Sequence, residues 1–218
     1  GVYDMHMLMF IICVVIGAGV FIAMFISMYF HRKSRGAKPA NFHENVQVEI
    51  AWTVIPFIIL IVMAIPAMNL LIDMEDASEP DVTVLVTGSQ WKWHYKYMDN
   101  DVEYYSKMAT QAEQISGKLA KGKNYLLEVD RPLVIPTGKK VRFLITSDDV
   151  IHAWWVPEIA VKKDAIPGYI NESWALIPEG QEGLYRGQCA ELCGVDHGFM
   201  PIVLEAVTAD QYQVWLSD

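Results

Sequence analysis

The 218-residue sequence predicts a membrane helical hairpin of two transmembrane helices, followed by an all-β barrel or sandwich. Three observations support this fold class: two long uncharged apolar runs near the N-terminus, a series of short β-prone segments after them, and a change of charge between the two parts. Hydrophobic residues make up 53% of the chain. This composition excludes an intrinsically disordered protein, because disordered chains are poor in apolar residues.

The two apolar runs cover residues 7–30 and 50–72. Each is long enough to cross a bilayer, since a spanning helix needs about 20 consecutive apolar residues. The second run contains Pro56 and Pro66, which spanning helices tolerate when neighbouring groups satisfy the freed carbonyls. The alternative is a pair of buried helices in a soluble core, but uncharged runs of this length are rare in soluble folds. We therefore expect a transmembrane hairpin over residues 1–72.

The loop between the runs, residues 31–49, is predicted to be cytoplasmic. Its charged residues before the second run are Arg32, Lys33, Arg35 and Lys38 against Glu44 and Glu49. Short loops with excess Lys and Arg stay on the cytoplasmic side of the membrane. Residues 73–218 are then expected to form a domain on the opposite, extracytoplasmic side.

The net charge of the whole chain is −9, and most of the acidic residues follow the second run. Nucleic acid is therefore not an expected partner, because phosphate-binding proteins are usually basic. Two interpretations of the acidic charge remain open. It can keep a soluble domain solvated, or it can form a docking face for a basic partner, since opposite fields raise association rates.

The part after residue 73 has the pattern of a β protein. Strands are predicted at residues 82–87, 91–97, 125–129, 141–146, 151–156, 173–177, 184–188 and 202–207. Many short strands separated by turn residues indicate a sandwich or barrel. Residues 109–123 lack a strand pattern and are expected to form an exposed excursion. Thr208 and Gln211 have the spacing of a capping box and predict a short C-terminal helix.

One segment combines side chains that bind metals. The candidate ligands are Cys189, Glu191, Cys193, His197 and Met200, with a second imidazole at His152. Thiolate, imidazole and thioether together favour copper, whereas zinc would use the thiols and imidazoles but not the thioether. Two thiolates can each bridge two metal ions, so the set predicts a dinuclear copper centre. A Cys189–Cys193 disulfide beside a core histidine is the alternative.

With this loop and three further segments, Gln90–Tyr95 (QWKWHY), 147–152 (SDDVIH) and 164–168 (DAIPG), the chain resembles subunit II of the haem-copper respiratory oxidases, the cytochrome c oxidase type that carries the CuA centre. The resemblance implies a cupredoxin-like β domain on the outer face of the membrane. It also implies copper ligands at His152, Cys189, Cys193, His197 and Met200, with the backbone carbonyl of Glu191. The Glu191 side chain is implied to reach a magnesium or manganese ion shared with subunit I, as suits a carboxylate and a hard cation.

The resemblance further implies that Trp91 takes electrons from cytochrome c, that copper passes them to haem in subunit I, and that oxygen is reduced there to water with proton pumping. Lys92 departs from the tyrosine expected beside that tryptophan. Glu49 matches a glutamate at the mouth of a proton-uptake path into subunit I; the helix dipole alone also favours a glutamate there. The candidate docking carboxylates are Asp99, Asp101, Glu103, Asp130, Asp148 and Asp149.

Subunit III is a further implied partner, and the expected location is the bacterial inner membrane with the copper domain in the periplasm, or alternatively the mitochondrial inner membrane. No CxxCH motif is present, so no covalent haem is expected in this chain. Three other functions fit the sequence less well. A quinol oxidase subunit II lacks the copper ligands, a membrane-anchored copper carrier or assembly module would not need Trp91, and nitrous-oxide reductases are much longer.

Overall fold

The computed structural model describes residues 1–38, 41 and 43–217 of the chain. The chain divides into two compact units, Gly1–Asp73 and Met74–Asp218, and each unit is described by itself. Residues 39, 40 and 42 of the predicted cytoplasmic loop, and the last residue of the predicted outer domain, lie outside the described residues.

The first unit contains helix α1 (Val2–Phe30) and most of helix α2 (Val46–Glu75), with a short 3-10 turn at Lys33–Arg35 between them. Both helices are long and apolar enough to cross a membrane, with mean hydropathies of 2.9 and 2.6 over their most apolar windows. No residue in those windows is buried. Such a surface favours an apolar environment, since apolar area in water is unfavourable.

Helix α2 begins before the apolar run because polar residues cap its first turn. The Asn45 side chain accepts a hydrogen bond from the backbone N–H of Val48 at 3.2 Å. The Glu49 carboxylate accepts one from the backbone N–H of Asn45, also at 3.2 Å. These bonds satisfy N–H groups that have no partner within the helix.

The second unit is a pair of five-stranded sheets. The strands are β1 (Val82–Ser89), β2 (Lys92–Tyr97), β3 (Glu103–Ser106), β4 (Leu133–Pro136), β5 (Lys140–Ser147), β6 (His152–Val156), β7 (Val161–Ala165), β8 (Asn171–Leu176), β9 (Gly183–Cys189) and β10 (Pro201–Val207). A one-turn helix α3 (Ala112–Ile115) follows β3, and helix α4 (Ala209–Ser217) ends the described chain.

The first sheet has the strand order β3-β2-β1-β5-β8 and the second β4-β10-β9-β6-β7. Side chains alternate along β5 between the core and the outer face, so burial fixes the register of the sheet. Phe143 on β5 and Trp154 on β6 meet with ring centroids 4.9 Å apart, and both are fully buried. This contact joins the two sheets across the core.

Three strands and one loop differ from the sequence prediction. The predicted strand at residues 125–129 is wrong: the segment turns, Leu126 has a φ of 63°, and Val129 makes only an isolated bridge to Met108. Strands β3, β4 and β7 were not predicted. Each lies at the edge of its sheet. Charged residues interrupt the apolar pattern in β3 and β7, and β4 is only four residues long and ends at Pro136.

The C-terminal helix begins as the capping box predicts. Gln211 donates its backbone N–H to the Thr208 hydroxyl at 3.3 Å, and its side-chain oxygen accepts the Thr208 backbone N–H at 3.1 Å. The two residues therefore satisfy each other's unpaired N–H groups.

Candidate metal centre

Antiparallel pairing in the second sheet brings the predicted ligands together. His152 is the first residue of β6, and Cys189 is the last residue of β9. Trp154 on β6 pairs with Cys189, and the backbone N–H of Cys189 donates to the carbonyl of Met200 at 3.0 Å. This hydrogen bond joins the two ends of the connection from β9 to β10, which therefore forms a closed loop beside the start of β6.

Within this closed loop the two thiols lie side by side, each with its own imidazole. The Sγ atoms of Cys189 and Cys193 are 3.8 Å apart. The Nδ1 atom of His152 lies 3.8 Å from Cys189 Sγ, and the Nδ1 atom of His197 lies 3.5 Å from Cys193 Sγ. A disulfide bond would need about 2.05 Å between the sulfurs, so both cysteines are free thiols here.

The other two predicted donors are the carbonyl of Glu191 and the side chain of Met200. The backbone carbonyl of Glu191 lies 3.3 Å from Cys189 Sγ. Met200 is buried and belongs to the same core cluster as both cysteines. The ligand atoms of His152, Cys189 and Cys193 lie within 4.8 Å of one another, a spacing that can hold a metal ion.

The two imidazoles differ in their surroundings. His152 is fully buried, and its ring packs edge-on against Trp93 with centroids 5.9 Å apart. Gly88 on β1 makes room for it, since a Cβ there would lie 3.0 Å from His152 Cδ2. His197 is only half-buried, in a 3-10 turn. The His197 side of the site therefore faces the domain surface.

Asp149 fixes the orientation of His152. Its Oδ1 lies 2.9 Å from His152 Nε2, so this nitrogen donates the hydrogen bond and Nδ1 keeps its lone pair towards Cys189. The other carboxylate oxygen of Asp149 accepts the backbone N–H of Gln90 at 2.7 Å. Burial, the largest single effect, raises the pKa of Asp149, but these hydrogen bonds outweigh it and lower the pKa overall.

Gln90 and Trp91 both donate to one carbonyl of the loop. Gln90 Nε2 lies 2.9 Å and Trp91 Nε1 3.2 Å from the carbonyl oxygen of Cys193. The following residue, Gly194, has a φ of 118°, and a Cβ there would lie 2.8 Å from Gln90 Nε2 and 3.0 Å from Cζ2 of the Trp91 indole. Only glycine therefore allows the loop to approach the indole so closely.

Without a cation, electrostatic repulsion opposes the ionisation of both thiols in this pair. Burial raises the pKa of Cys189, but hydrogen bonds with His152 and backbone groups outweigh it and lower the pKa to about 7. Burial and the charge of Cys189 raise the pKa of Cys193 to about 12. The positive charge of a bound cation would offset the repulsion between the two thiolates. Metal binding therefore displaces the thiol protons. Two thiols beside two imidazoles form a donor set that suits copper.

The predicted docking carboxylates are engaged to different degrees. Asp99 accepts the backbone N–H of Thr83, Asp130 accepts that of Lys107, and Glu103 pairs with Lys96 at 3.4 Å. Asp101 and Asp148 are exposed. Glu191 is also exposed, beside Leu192 and Val195, whose side chains are 77% and 85% exposed.

Two family models match the two units of this chain. The model of the cytochrome c oxidase subunit II transmembrane domain matches residues 2–70, and that of the subunit II periplasmic domain matches residues 82–207. The chain belongs to the cytochrome c oxidase subunit II family. It is thereby part of a respiratory oxidoreductase complex of the haem-copper type, as the resemblance in the sequence indicated.

Individual relatives agree with this family. The chain is 43% identical over 195 residues to a probable cytochrome c oxidase subunit 2 of Rickettsia bellii, covering 89% of this chain and 70% of that protein. It is 44% identical over 194 residues to the Rickettsia felis counterpart, covering 88% of this chain but only 59% of that protein.

A solved structure matches the second unit. It is the crystal structure of the periplasmic domain of subunit II of cytochrome oxidase (CoxB) of Bradyrhizobium japonicum. The match has a TM-score of 0.57 and 39% identity, and it covers 65% of this chain and 94% of that one. The predicted fold class, two apolar helices with a cupredoxin-like β domain, is thus confirmed.

Membership of the subunit II family implies a CuA centre, and the cluster of His152, Cys189 and Cys193 is present. The two apolar helices and the bacterial relatives fit a membrane-anchored subunit. The sequence alone did not identify the supporting roles of Gln90, Gly88 and Gly194. The position of Asp149, three residues before His152, was the only local signal for its role.

Proposed function

We propose that this chain is the electron-accepting subunit of a cytochrome c oxidase, taking electrons from cytochrome c at a dinuclear copper centre and delivering them to haem in subunit I. Reduction of oxygen to water, coupled to proton pumping, would occur in subunit I. One observation carries the proposal: two free thiols lie 3.8 Å apart, and each has the Nδ1 of a different histidine beside it. This pairwise symmetry suits two metal ions better than one.

Five side chains and one carbonyl would hold the copper. The thiols of Cys189 and Cys193 and the imidazoles of His152 and His197 would hold the two ions. Met200 and the carbonyl of Glu191 would supply weaker bonds. When bound, the copper pair supplies a one-electron redox couple. The chain's contribution is rigidity, since β6, β9 and β10 fix the donors and a site that moves little on redox change transfers electrons readily.

Trp91 would receive the electron at the surface. The indole is partly exposed and donates directly to the carbonyl of Cys193, so the route to the centre runs through one hydrogen bond and the cysteine itself. Exposed carboxylates, Asp101 and Asp148 among them, would contribute to docking of cytochrome c. Asp99, Glu103, Asp130 and Asp149 would contribute less, because the domain's own groups already engage them.

The copper loop also supports a contact with subunit I. Leu192 and Val195 expose nearly their whole side chains, and adjacent exposed apolar residues at a loop tip mark an interaction site. Glu191 stands beside them with a free carboxylate, which would hold a magnesium or manganese ion at that contact. Subunit III would complete the complex.

The basic loop after α1 supports a cytoplasmic loop and a periplasmic copper domain in a bacterial inner membrane. Residues 1–72 would then anchor the chain and residues 73–218 would carry the copper. Glu49 would stand at the mouth of a proton-uptake path into subunit I. Its carboxylate already caps α2, so that second function would use the same half-buried group.

Copper content and electron paramagnetic resonance of the full chain, purified in detergent under reducing conditions and loaded with copper, test the proposal. We expect two coppers per chain that share one unpaired electron. Cys193→Ser should abolish this signal, whereas Cys13→Ser, in α1, should keep it. One copper per chain, or a Cys189–Cys193 disulfide that survives reduction, would refute the dinuclear site.

A further inference from the structure

A cleft opens directly beside Trp91. It has a volume of about 530 Å³, within the usual range of about 300–1,000 Å³ for ligand-sized pockets. Its lining residues are Gln90, Trp91, Lys92, Lys107, Met108, Ile115, Asp196 and Phe199. One wall comes from the excursion after β3, through Ile115 at the end of α3, and the opposite wall comes from the copper loop through Asp196 and Phe199.

The charge of the cleft is opposite to that of the chain. Two lysines and one aspartate line it, in a protein whose net charge is −9. The other acidic group near Gln90, Asp149, is occupied by His152 and the Gln90 backbone. The lining therefore has a net positive charge around an apolar floor of Trp91, Met108 and Phe199.

Both ammonium groups are available to a partner. Over the described residues, the lysine and arginine ion pairs of this domain join Lys96 to Glu103, Lys139 to Asp81, Lys163 to Glu75 and Arg186 to Glu128. The Nζ atoms of Lys92 and Lys107 have no carboxylate oxygen within 4.0 Å in that part of the chain, and the Asp130 carboxylate bonds to the backbone N–H of Lys107 instead. Lys92 Nζ instead lies over the Tyr105 ring, 4.9 Å from its centroid, and Lys107 is exposed. An unpaired ammonium at the rim of an apolar cleft is a site for an incoming carboxylate.

We propose that this cleft receives a carboxylate-bearing side chain of the protein electron donor. The donor surface that contacts Trp91 would then be acidic where it meets the cleft. The inference rests on the proposed function and specifies the surface charge of the electron donor. Electron-transfer contacts are small and transient, so a few charges near the contact decide which donor binds. The acidic residues elsewhere on the domain would act at the edge of the same contact.

The intact oxidase complex and two soluble cytochromes c, one with an acidic and one with a basic haem-edge surface, test the proposal. The measured quantity is kcat/KM for each donor at several ionic strengths, for wild type, Lys107→Gln and Lys107→Glu. Lys162→Glu is the matched control, because Lys162 is exposed on β7 in the other sheet. Each kcat/KM is divided by the wild-type value for the same donor. This removes the effect that the charge of the whole acidic domain has on that donor.

For the acidic donor we expect kcat/KM to fall from wild type through Lys107→Gln to Lys107→Glu, by about 3- to 10-fold in total at low salt. For the basic donor it should rise. Added salt should shrink both changes, and Lys162→Glu should change neither ratio. Equal changes for both donors, or none, would overturn the donor assignment. Failure of the copper-loaded wild type to oxidise either cytochrome would overturn the proposed function itself, and the inference with it.

Discussion

Trp91 Nε1 donates a hydrogen bond to the backbone carbonyl of Cys193 at 3.2 Å. The surface aromatic and a proposed copper ligand are thus one hydrogen bond apart, although 102 positions separate them in the chain. Gln90 donates to the same carbonyl, so two consecutive residues between β1 and β2 hold the copper loop against the first sheet.

Gln90→Ala removes the side-chain bond to Cys193 but keeps the backbone bond to Asp149. We expect both coppers to remain, stability to fall by about 1 kcal/mol, and electron transfer from cytochrome c to copper to slow, because the loop is held less firmly against Trp91. Stopped-flow kinetics with copper spectra measure these effects. Gln114→Ala is the control, since Gln114 makes a similar bond to the Ala120 carbonyl within the excursion. Equal slowing in both variants would contradict the positioning role of Gln90.

Asp149→Asn keeps the shape of the side chain but removes its charge beside His152. We expect copper affinity to fall about 10- to 100-fold, the usual effect of losing such an outer partner of a ligand. Copper titration against a competing chelator gives the affinity. The neighbouring exposed residue supplies the control, Asp148→Asn, which should leave affinity unchanged. An unaltered affinity in Asp149→Asn would show that the strands alone orient His152.

Met200→Leu replaces the buried thioether with a side chain of similar size. We expect both coppers to stay bound, because a thioether is a weak ligand, while the redox potential shifts and onward transfer to haem slows. Copper analysis and a redox titration test this. Loss of all copper from the variant would refute the weak-ligand role of Met200.

Tyr104 should make the copper domain sensitive to alkaline pH. Burial, its largest cause, raises the pKa of Tyr104 to about 12, from about 10 for an ordinary tyrosine. The folded state keeps this proton where the unfolded state has lost it. Its contribution to stability is thus complete below pH 10 and is lost as the pH rises towards 12.

Tyr104→Phe should therefore flatten the decline of unfolding free energy between pH 10 and 12, by at most about 1.4 kcal/mol per pH unit. Thermal or denaturant unfolding of the full chain across this range measures the slope. Part of the decline should remain, because burial also raises the pKa values of Tyr95, Tyr97 and Tyr212. At pH 7 the variant should be less stable, since it loses the bond from Tyr104 to the Pro132 carbonyl. An unchanged slope would contradict the assignment to Tyr104.

Local patterns in the sequence predicted the helices, most central strands and the capping box, because each depends on neighbouring residues. The metal cluster was also accessible, since all its cysteines and one histidine lie on one loop. The hydrogen bonds that Gln90 makes with Cys193 and Asp149 join residues that are far apart in the chain. They depend on how the strands align, which no short sequence pattern predicts. The strand prediction for residues 125–129 was wrong because a β-prone composition does not reveal the positive φ of Leu126.

The closure of the β9–β10 loop by the bond between Cys189 N–H and the Met200 carbonyl has a consequence for the shape of the metal site. A short loop with both ends paired has little chain entropy left to lose. His152 begins the neighbouring strand β6, and its carboxylate partner Asp149 lies three residues before it in the connection from β5. The same strand pairing that forms the second sheet therefore also brings the donor side chains together, so the shape of the metal site is tied to the order of the sheet.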